Sequence, residues 1–202
     1  MAGGARALSD PGGAVPPVLM VIAVVAAGAE YPRYRHRAAM VSELGTSASP
    51  RARGFNAAWA VAGALIGLYA WGLWWLVGLP VVTGGVGILA AGTLVSGLFP
   101  CEPGCPPSPR TTSGRIHALA GLLAVLGAVV ACLALGFWAA DRMATWGLTL
   151  YSLITGGAGL ALLFTTLGAI GTGFEGFLQR VFLLGILAWL GVTAVLLPLR
   201  LA

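Results

Sequence analysis

IHALAGLLAVLGAVVACLALGFW, residues 116–138, carries no Asp, Glu, Lys or Arg, and its reading decides the fold. About 20 apolar residues at helical rise cross a hydrocarbon core of roughly 30 Å. Lipid offers backbone amides no partner, so such a run must satisfy them internally, and it lacks the alternation of a barrel strand. It is therefore a membrane helix. Working outward along the chain, five more runs qualify: 12–29, 55–78, 80–99, 145–170 and 177–197. The remaining polar residues collect mainly in two loops, 30–54 and 100–115. Composition agrees: of 202 residues, 58% are hydrophobic and 8% charged, and the mean hydropathy is +0.93. A soluble domain of this size shows water far more polar surface. The expectation is an all-α polytopic membrane protein, with residues 1–202 forming a single membrane domain, a six-transmembrane-helix bundle.

The first run has a second reading. Arg6, the apolar segment 18–27 and the small residues Ala27, Gly28 and Ala29 also fit a cleavable signal peptide. An uncut helix is expected, because a polar loop follows at once with no mature soluble domain. Trp71, Trp74 and Trp75 end the second run, Trp138 the fourth, and Trp146 opens the fifth, so five of seven tryptophans mark one membrane interface. Tyr31, Tyr34, Phe55, Trp59, Phe99, Phe174 and Phe177 mark the other. Gly63 and Gly67, and the face formed by Ser152, Thr155, Gly156 and Gly159, suit close helix approach in lipid. The glycine clusters near residues 84–87 and 156–159 lie inside apolar runs without the Lys or acidic partner that a phosphate-cradling loop needs.

Orientation sets two arguments against each other. The loops after runs one, three and five share a side and hold Arg33, Arg35, Arg37, Arg51, Arg53, Arg110, Arg115 and Arg180. The other side has Arg6, Arg142 and Arg200, so the positive-inside rule places the loop-rich face in the cytoplasm. Cys101 and Cys105 flank the turn-forming Glu102-Pro103-Gly104, which can bring the two thiols within bridging distance. A disulfide there implies an oxidising compartment instead.

Tyr31-Pro32, Tyr34-Arg35-His36, Ser42-Glu43-Leu44-Gly45, Phe55-Asn56, Cys101-Glu102-Pro103-Gly104-Cys105-Pro106, residues 114–117, and residues 176–180 with Trp189 resemble the prokaryotic multi-pass membrane family labelled domain of unknown function 998. The resemblance covers essentially the whole chain. Its most specific parts are the Ser-Glu-Leu-Gly segment and the paired-cysteine loop followed by His117. Such proteins more often have Asp where this chain has Glu102, which keeps the charge and lengthens the reach. The resemblance implies a multi-pass protein of the prokaryotic plasma membrane with a cytoplasmic amino terminus. That puts the motif face outside the cell, in accord with a disulfide. It implies an architecture and no reaction. A fainter similarity, in span count and first-loop position only, is to the eukaryotic damage-regulated autophagy modulator proteins.

If Ser113 caps the fourth helix, His117 lies about one turn in, on the side of Ser42, Glu43 and Glu102, where an imidazole can serve as general base or metal ligand. The plainer reading is a buried histidine satisfied by a hydroxyl or carboxylate. His36 stands among Arg33, Arg35 and Arg37, whose charges disfavour its protonation. Ser42-Glu43 before Leu44-Gly45 suits a loop folding back into the bundle, where a buried carboxylate needs a cation. Arg180 is the expected partner, since an arginine at that depth must pair, line a wet cavity or snorkel. Glu175 cannot serve, because five helical residues turn the two about 140° apart. Gln179 shares the face of Glu175. With Asn56 this gives an expected polar cluster of Glu43, Asn56, His117, Glu175, Gln179 and Arg180. In the plainer alternative, Glu175 and Arg180 both simply reach the interface.

Two histidines rule out a three-histidine zinc centre, and no His-Glu-x-x-His helix is present. One cysteine pair without a second argues against structural zinc. No metal and no cofactor is expected, the remaining metal option being His117 and His36 with Glu43 or Glu102. Ser42, Glu43, Glu102 and His117 are the candidate catalytic residues of a hydrolase-like site, although no nucleophile elbow surrounds Ser42. Cys132 reads as a small core residue. Arg33, Arg35, Arg37, Arg51 and Arg53 suit anionic lipid headgroups, at about 1 kcal/mol each near an anionic leaflet. The plainer alternative for them is topology and solvation. Nucleic acid is not an expected partner, because no soluble module presents these arginines.

Whether the protein is an enzyme is left open by the residues. The leading reading is a module that binds membrane lipids or another membrane protein through the polar face. The alternative is a lipid-directed enzyme, and a small-solute transporter comes third for want of a paired mid-membrane break or a deep acidic residue. The place that separates the first two readings is a lipid-sized cavity opening beside His117. Convergence of His117 with a carboxylate and a hydroxyl favours the enzyme, and dispersal of Ser42, Glu43, Glu102 and His117 to bulk solvent removes it.

Overall fold

Each apolar run winds into a helix in the computed structural model, which describes residues 2–142 and 146–200 and their side chains from 14 to 142 and from 146 to 199. The helices are α1 (Ala2–Glu30), α2 (Ala52–Val77), α3 (Pro80–Leu98), α4 (Thr112–Arg142), α5 (Trp146–Gly168) and α6 (Glu175–Arg200), with a short 3₁₀ turn, Val41–Gly45, in the first loop. No strand occurs among the described residues. Five helices, α2 to α6, are long and apolar enough to cross a membrane, and the segment Ala14–Glu30 of α1 is a shorter apolar helix. The chain is thus an all-helical membrane bundle. Thr145 and the side chains of Arg6 and Arg200 lie outside the described residues.

Local chemistry sets the boundaries. Gly78 ends α2 in the left-handed region, φ +65°, with its N–H on the Trp74 carbonyl at 3.0 Å. Pro80 then opens α3, where its missing N–H costs nothing. α4 starts earlier than the sequence suggested, because its cap is Thr111 and not Ser113. The Thr111 hydroxyl accepts the Gly114 N–H at 3.1 Å, while Ser113 donates to the Pro100 carbonyl at 2.8 Å. His117 consequently sits deeper than one turn.

The helices form a closed ring in which each touches its chain neighbours and α6 returns to α1. Small residues let the axes close up: a Cβ at Gly63 would lie 2.7 Å from the Leu94 Cα, and one at Gly97 would lie 2.7 Å from the Asn56 carbonyl oxygen. On the interior face of α6, Trp189, Leu190 and Thr193 are fully buried. Their polar atoms are bonded: Trp189 Nε1 donates to Ser152 Oγ at 3.0 Å, and Tyr69 donates to Thr193 Oγ1 at 2.9 Å. The outer surface is apolar, with Ile88, Leu119, Ile154 and Phe164 all exposed, as lipid contact requires. Trp71, Trp75 and Trp146 are likewise exposed, in the manner of an interfacial belt.

Candidate functional site

The first loop cannot satisfy its own backbone, and α6 does much of that work. Residues 31–51 run as successive turns, such as Glu43 N–H to the Met40 carbonyl at 3.1 Å and Thr46 N–H to the Glu43 carbonyl at 3.1 Å. The turns fold the 3₁₀ segment inward, burying Val41 and Leu44 against Ala27 and Phe55. The start of α6 grips the strap from the other side. Phe177 N–H donates to the Arg37 carbonyl at 2.8 Å, and the Gln179 Oε1 accepts the Val41 N–H at 2.7 Å. Arg180 Nη1 donates to the carbonyls of Ala39 at 2.9 Å and Gly176 at 2.8 Å, and also to that of His36. Its Nη2 donates to the Tyr34 hydroxyl, which itself donates to the Met40 carbonyl at 2.9 Å. Asn56 on α2 completes the clasp by donating to the Gly45 carbonyl at 2.8 Å.

The expected ion pair is therefore replaced by a different arrangement. Arg180 is not the partner of Glu43; its planar fork of donors fits a ring of carbonyl oxygens presented by the strap. Glu43 is half-buried with no ion pair among the described residues, and that burial raises its pKa. Glu175 accepts the Gly173 N–H at 2.8 Å and closes its own turn. The six residues expected in one polar cluster thus divide, and five of them bond mainly to backbone. His36 also has a different cause for its lowered pKa: burial comes first and Arg180 second, with the flanking arginines playing no part.

The second loop is built around one bridge and one carboxylate. Cys101 and Cys105 form a disulfide, their Cα atoms 5.5 Å apart. Pro103 and Gly104, at φ +79°, make the tight turn, with Cys105 N–H on the Glu102 carbonyl at 2.8 Å. Glu102 Oε1 accepts the N–H groups of Arg110 at 2.7 Å and Thr111 at 2.5 Å, plus the Thr111 hydroxyl at 2.8 Å. These bonds, those from Thr111 foremost, hold its carboxyl below the usual glutamate range. Cys101 Sγ lies 3.4 Å from the Ser42 carbonyl oxygen, so the two loops meet.

Between the disulfide loop, the 3₁₀ turn, α4, α5 and α6 lies a cavity of about 290 Å³. Ser42, Glu102, His117, Thr166 and Gln179 supply its polar lining, and Leu122, Val125, Leu162, Leu163 and Phe182 supply apolar walls. His117 Nδ1 faces the carbonyl oxygens of Phe99 at 3.0 Å and Ser96 at 3.2 Å. Glu43 lines a different hollow of about 320 Å³ with Arg33, Tyr34 and Arg35. His36 and Arg180 border a third, of about 290 Å³, walled by Met20, Leu183 and Leu187. Ser42 and His117 therefore share a cavity, whereas Glu43 and His36 do not join them. Glu102 does line the cavity with Ser42 and His117, but no hydrogen bond joins any two of these three among the described residues, Glu102 being held by Arg110 and Thr111 and His117 by Phe99 and Ser96. The mixed metal site is not assembled. No group of three metal-ligating side chains occurs among the described residues.

All five first-loop arginines are exposed. Arg51 grips Glu30 through two bonds, 2.6 and 2.5 Å, and Arg37 lies over the Phe174 ring at 4.6 Å. Sequence reasoning missed Tyr34 as a polar junction, having read it only as an interfacial aromatic. It also missed Thr166, Leu162 and Leu163, which look like any residues of an apolar helix.

No curated protein and no solved structure matches the chain. The strap, the α6 clasp and the bridged loop are the segments that carried the resemblance noted above, and all lie within one matched stretch. The chain belongs to the family described as Protein of unknown function (DUF998), whose profile matches residues 14–196.

Proposed function

We propose that the protein is a lipid-binding module of the prokaryotic plasma membrane that holds one amphiphile in the cavity beside His117. The observation that carries this is the pairing of a polar lining at the loop end with leucine and phenylalanine walls between α4, α5 and α6. A volume of about 290 Å³ is just under the usual range of ligand sites, about 300 to 1,000 Å³, and suits a small head with part of one chain. A hydrolase is less favoured. His117 Nδ1, the atom an orienting carboxylate would hold, is engaged by two backbone carbonyls. Arg33, Arg35 and Arg53 remain exposed without an ion pair among the described residues and serve anionic headgroups at the surface.

The motif face is extracytoplasmic on this reading, because the Cys101–Cys105 bridge needs an oxidising compartment. The arginine count that argues otherwise includes Arg180, held by carbonyls, and Arg51, neutralised by Glu30. Native mass spectrometry of gently purified protein tests the lipid. One bound lipid is expected, displaced in Leu163→Trp, whose indole fills the apolar wall. Absence of any bound lipid, or its full retention in a folded Leu163→Trp protein, overturns the reading. Sidedness is tested in intact cells with a membrane-impermeant thiol reagent after reduction. Labelling of Cys101 and Cys105 is expected, and protection of both places the face in the cytoplasm.

A further inference from the structure

We infer that the cavity beside His117 selects an amphiphile with an uncharged, hydroxyl-bearing head and rejects one with a phosphate or carboxylate head. The inference rests on the lipid reading above and adds the chemical class of the ligand. Glu102 is the one residue with an ionised side chain lining the cavity, and no arginine lines it. An anionic head would have to shed water beside a carboxylate, and Arg110, whose charge acts on Glu102, does not line the cavity to meet that head.

The neutral groups suit hydroxyls. His117 Nδ1 faces two carbonyl oxygens, which only a donor satisfies, so in the neutral ring Nε2 is left as an acceptor. Gln179 Oε1 holds the Val41 N–H, which leaves its amide NH₂ free to donate. The hydroxyls of Ser42 and Thr166 have no hydrogen-bond partner among the described residues and can do either. Acceptors and donors around one small space match a glycerol or alcohol head, which offers both, and discriminate against a head that only accepts beside a negative charge.

The test is a native mass spectrometric titration of the full chain in neutral detergent with three ligands sharing a palmitoyl or hexadecyl chain: monopalmitoylglycerol, palmitoyl lysophosphatidic acid and hexadecylammonium. Monopalmitoylglycerol is expected to bind at least about tenfold more tightly than lysophosphatidic acid. Glu102→Gln is expected to narrow that ratio to within about threefold by strengthening the phosphate ligand, and Glu102→Asp to preserve it. The wild-type ratio decides alone if Glu102→Gln does not fold. Equal or tighter binding of lysophosphatidic acid or of hexadecylammonium overturns the head-group assignment and leaves the lipid cavity standing. Absence of saturable binding by all three overturns both.

Discussion

Replacing Gln179 with leucine removes the acceptor that fixes the 3₁₀ turn to α6. Val41 is 1% exposed, so its N–H, now 2.7 Å from Gln179 Oε1, has no route to water once that oxygen is gone. A buried donor left without an acceptor costs about 1–3 kcal/mol. At about 1.4 kcal/mol per tenfold, that makes opening of the turn roughly 5 to 150 times easier. Amide hydrogen exchange on peptides covering residues 40–46 reads this directly, with peptides of α5 as an internal control. Gln179→Leu is expected to accelerate exchange in the turn by that factor and leave α5 unchanged. Gln179→Glu keeps an acceptor oxygen and is expected to keep most of the protection. The clasp is refuted if exchange in the turn is unaltered by Gln179→Leu, or if both substitutions accelerate it equally.

Ser152→Ala strands the buried Trp189 indole N–H and is expected to lower stability by about 1–3 kcal/mol in denaturant titration, whereas Tyr69→Phe costs only about 0.5–1.5 kcal/mol because Thr193 keeps its bond to the Trp189 carbonyl. Gly63→Leu drives a side chain into the Leu94 and Ala90 backbone of α3, and a loss of about 3 kcal/mol or more, read as a lowered unfolding midpoint, is expected. For pH, the folded pKa of Glu43 is raised above the ordinary 4.5, so the folded chain binds the extra proton and stability falls as pH climbs from 4.5 through the folded value. Glu43→Gln should abolish that fall in a pH series of unfolding midpoints. Glu102 has the opposite sign: its contribution is complete above 4.5 and is lost as pH drops through its lowered folded value, a loss that Glu102→Gln should remove from the same series.

The six helices were legible because long apolar runs almost free of charge leave lipid-facing backbone amides no partner but their own helix. The end of α4 was misread where two hydroxyls competed to cap it, and only the backbone shows that Thr111 wins while Ser113 turns to Pro100. The inward fold of Ser42-Glu43-Leu44-Gly45 followed from its composition, and Leu44 is indeed fully buried. The partner of Arg180 did not follow. Sequence displays the charges available to a guanidinium but hides carbonyl oxygens, which every residue owns and only the fold aims. The cavity was invisible for a related reason: the leucines that wall it on α5 are chemically the same as those that touch lipid.

The closed ring also orders the assembly of the protein. The strap of residues 31–51 leaves the ribosome well before α6, yet apart from the Asn56 bond to Gly45 and the Arg51 pair with Glu30 the groups that grip it come from Phe177, Gln179 and Arg180. Until α6 arrives, the carbonyls of residues 36, 37 and 39 and the Val41 amide lack these partners and need water in their place. The strap is thereby expected to lock only once α6 is in place, and an intermediate lacking α6 is expected to leave it more open to protease. The cavity rim, of which Ser42 and Gln179 are both part, is incomplete until α6 supplies Gln179.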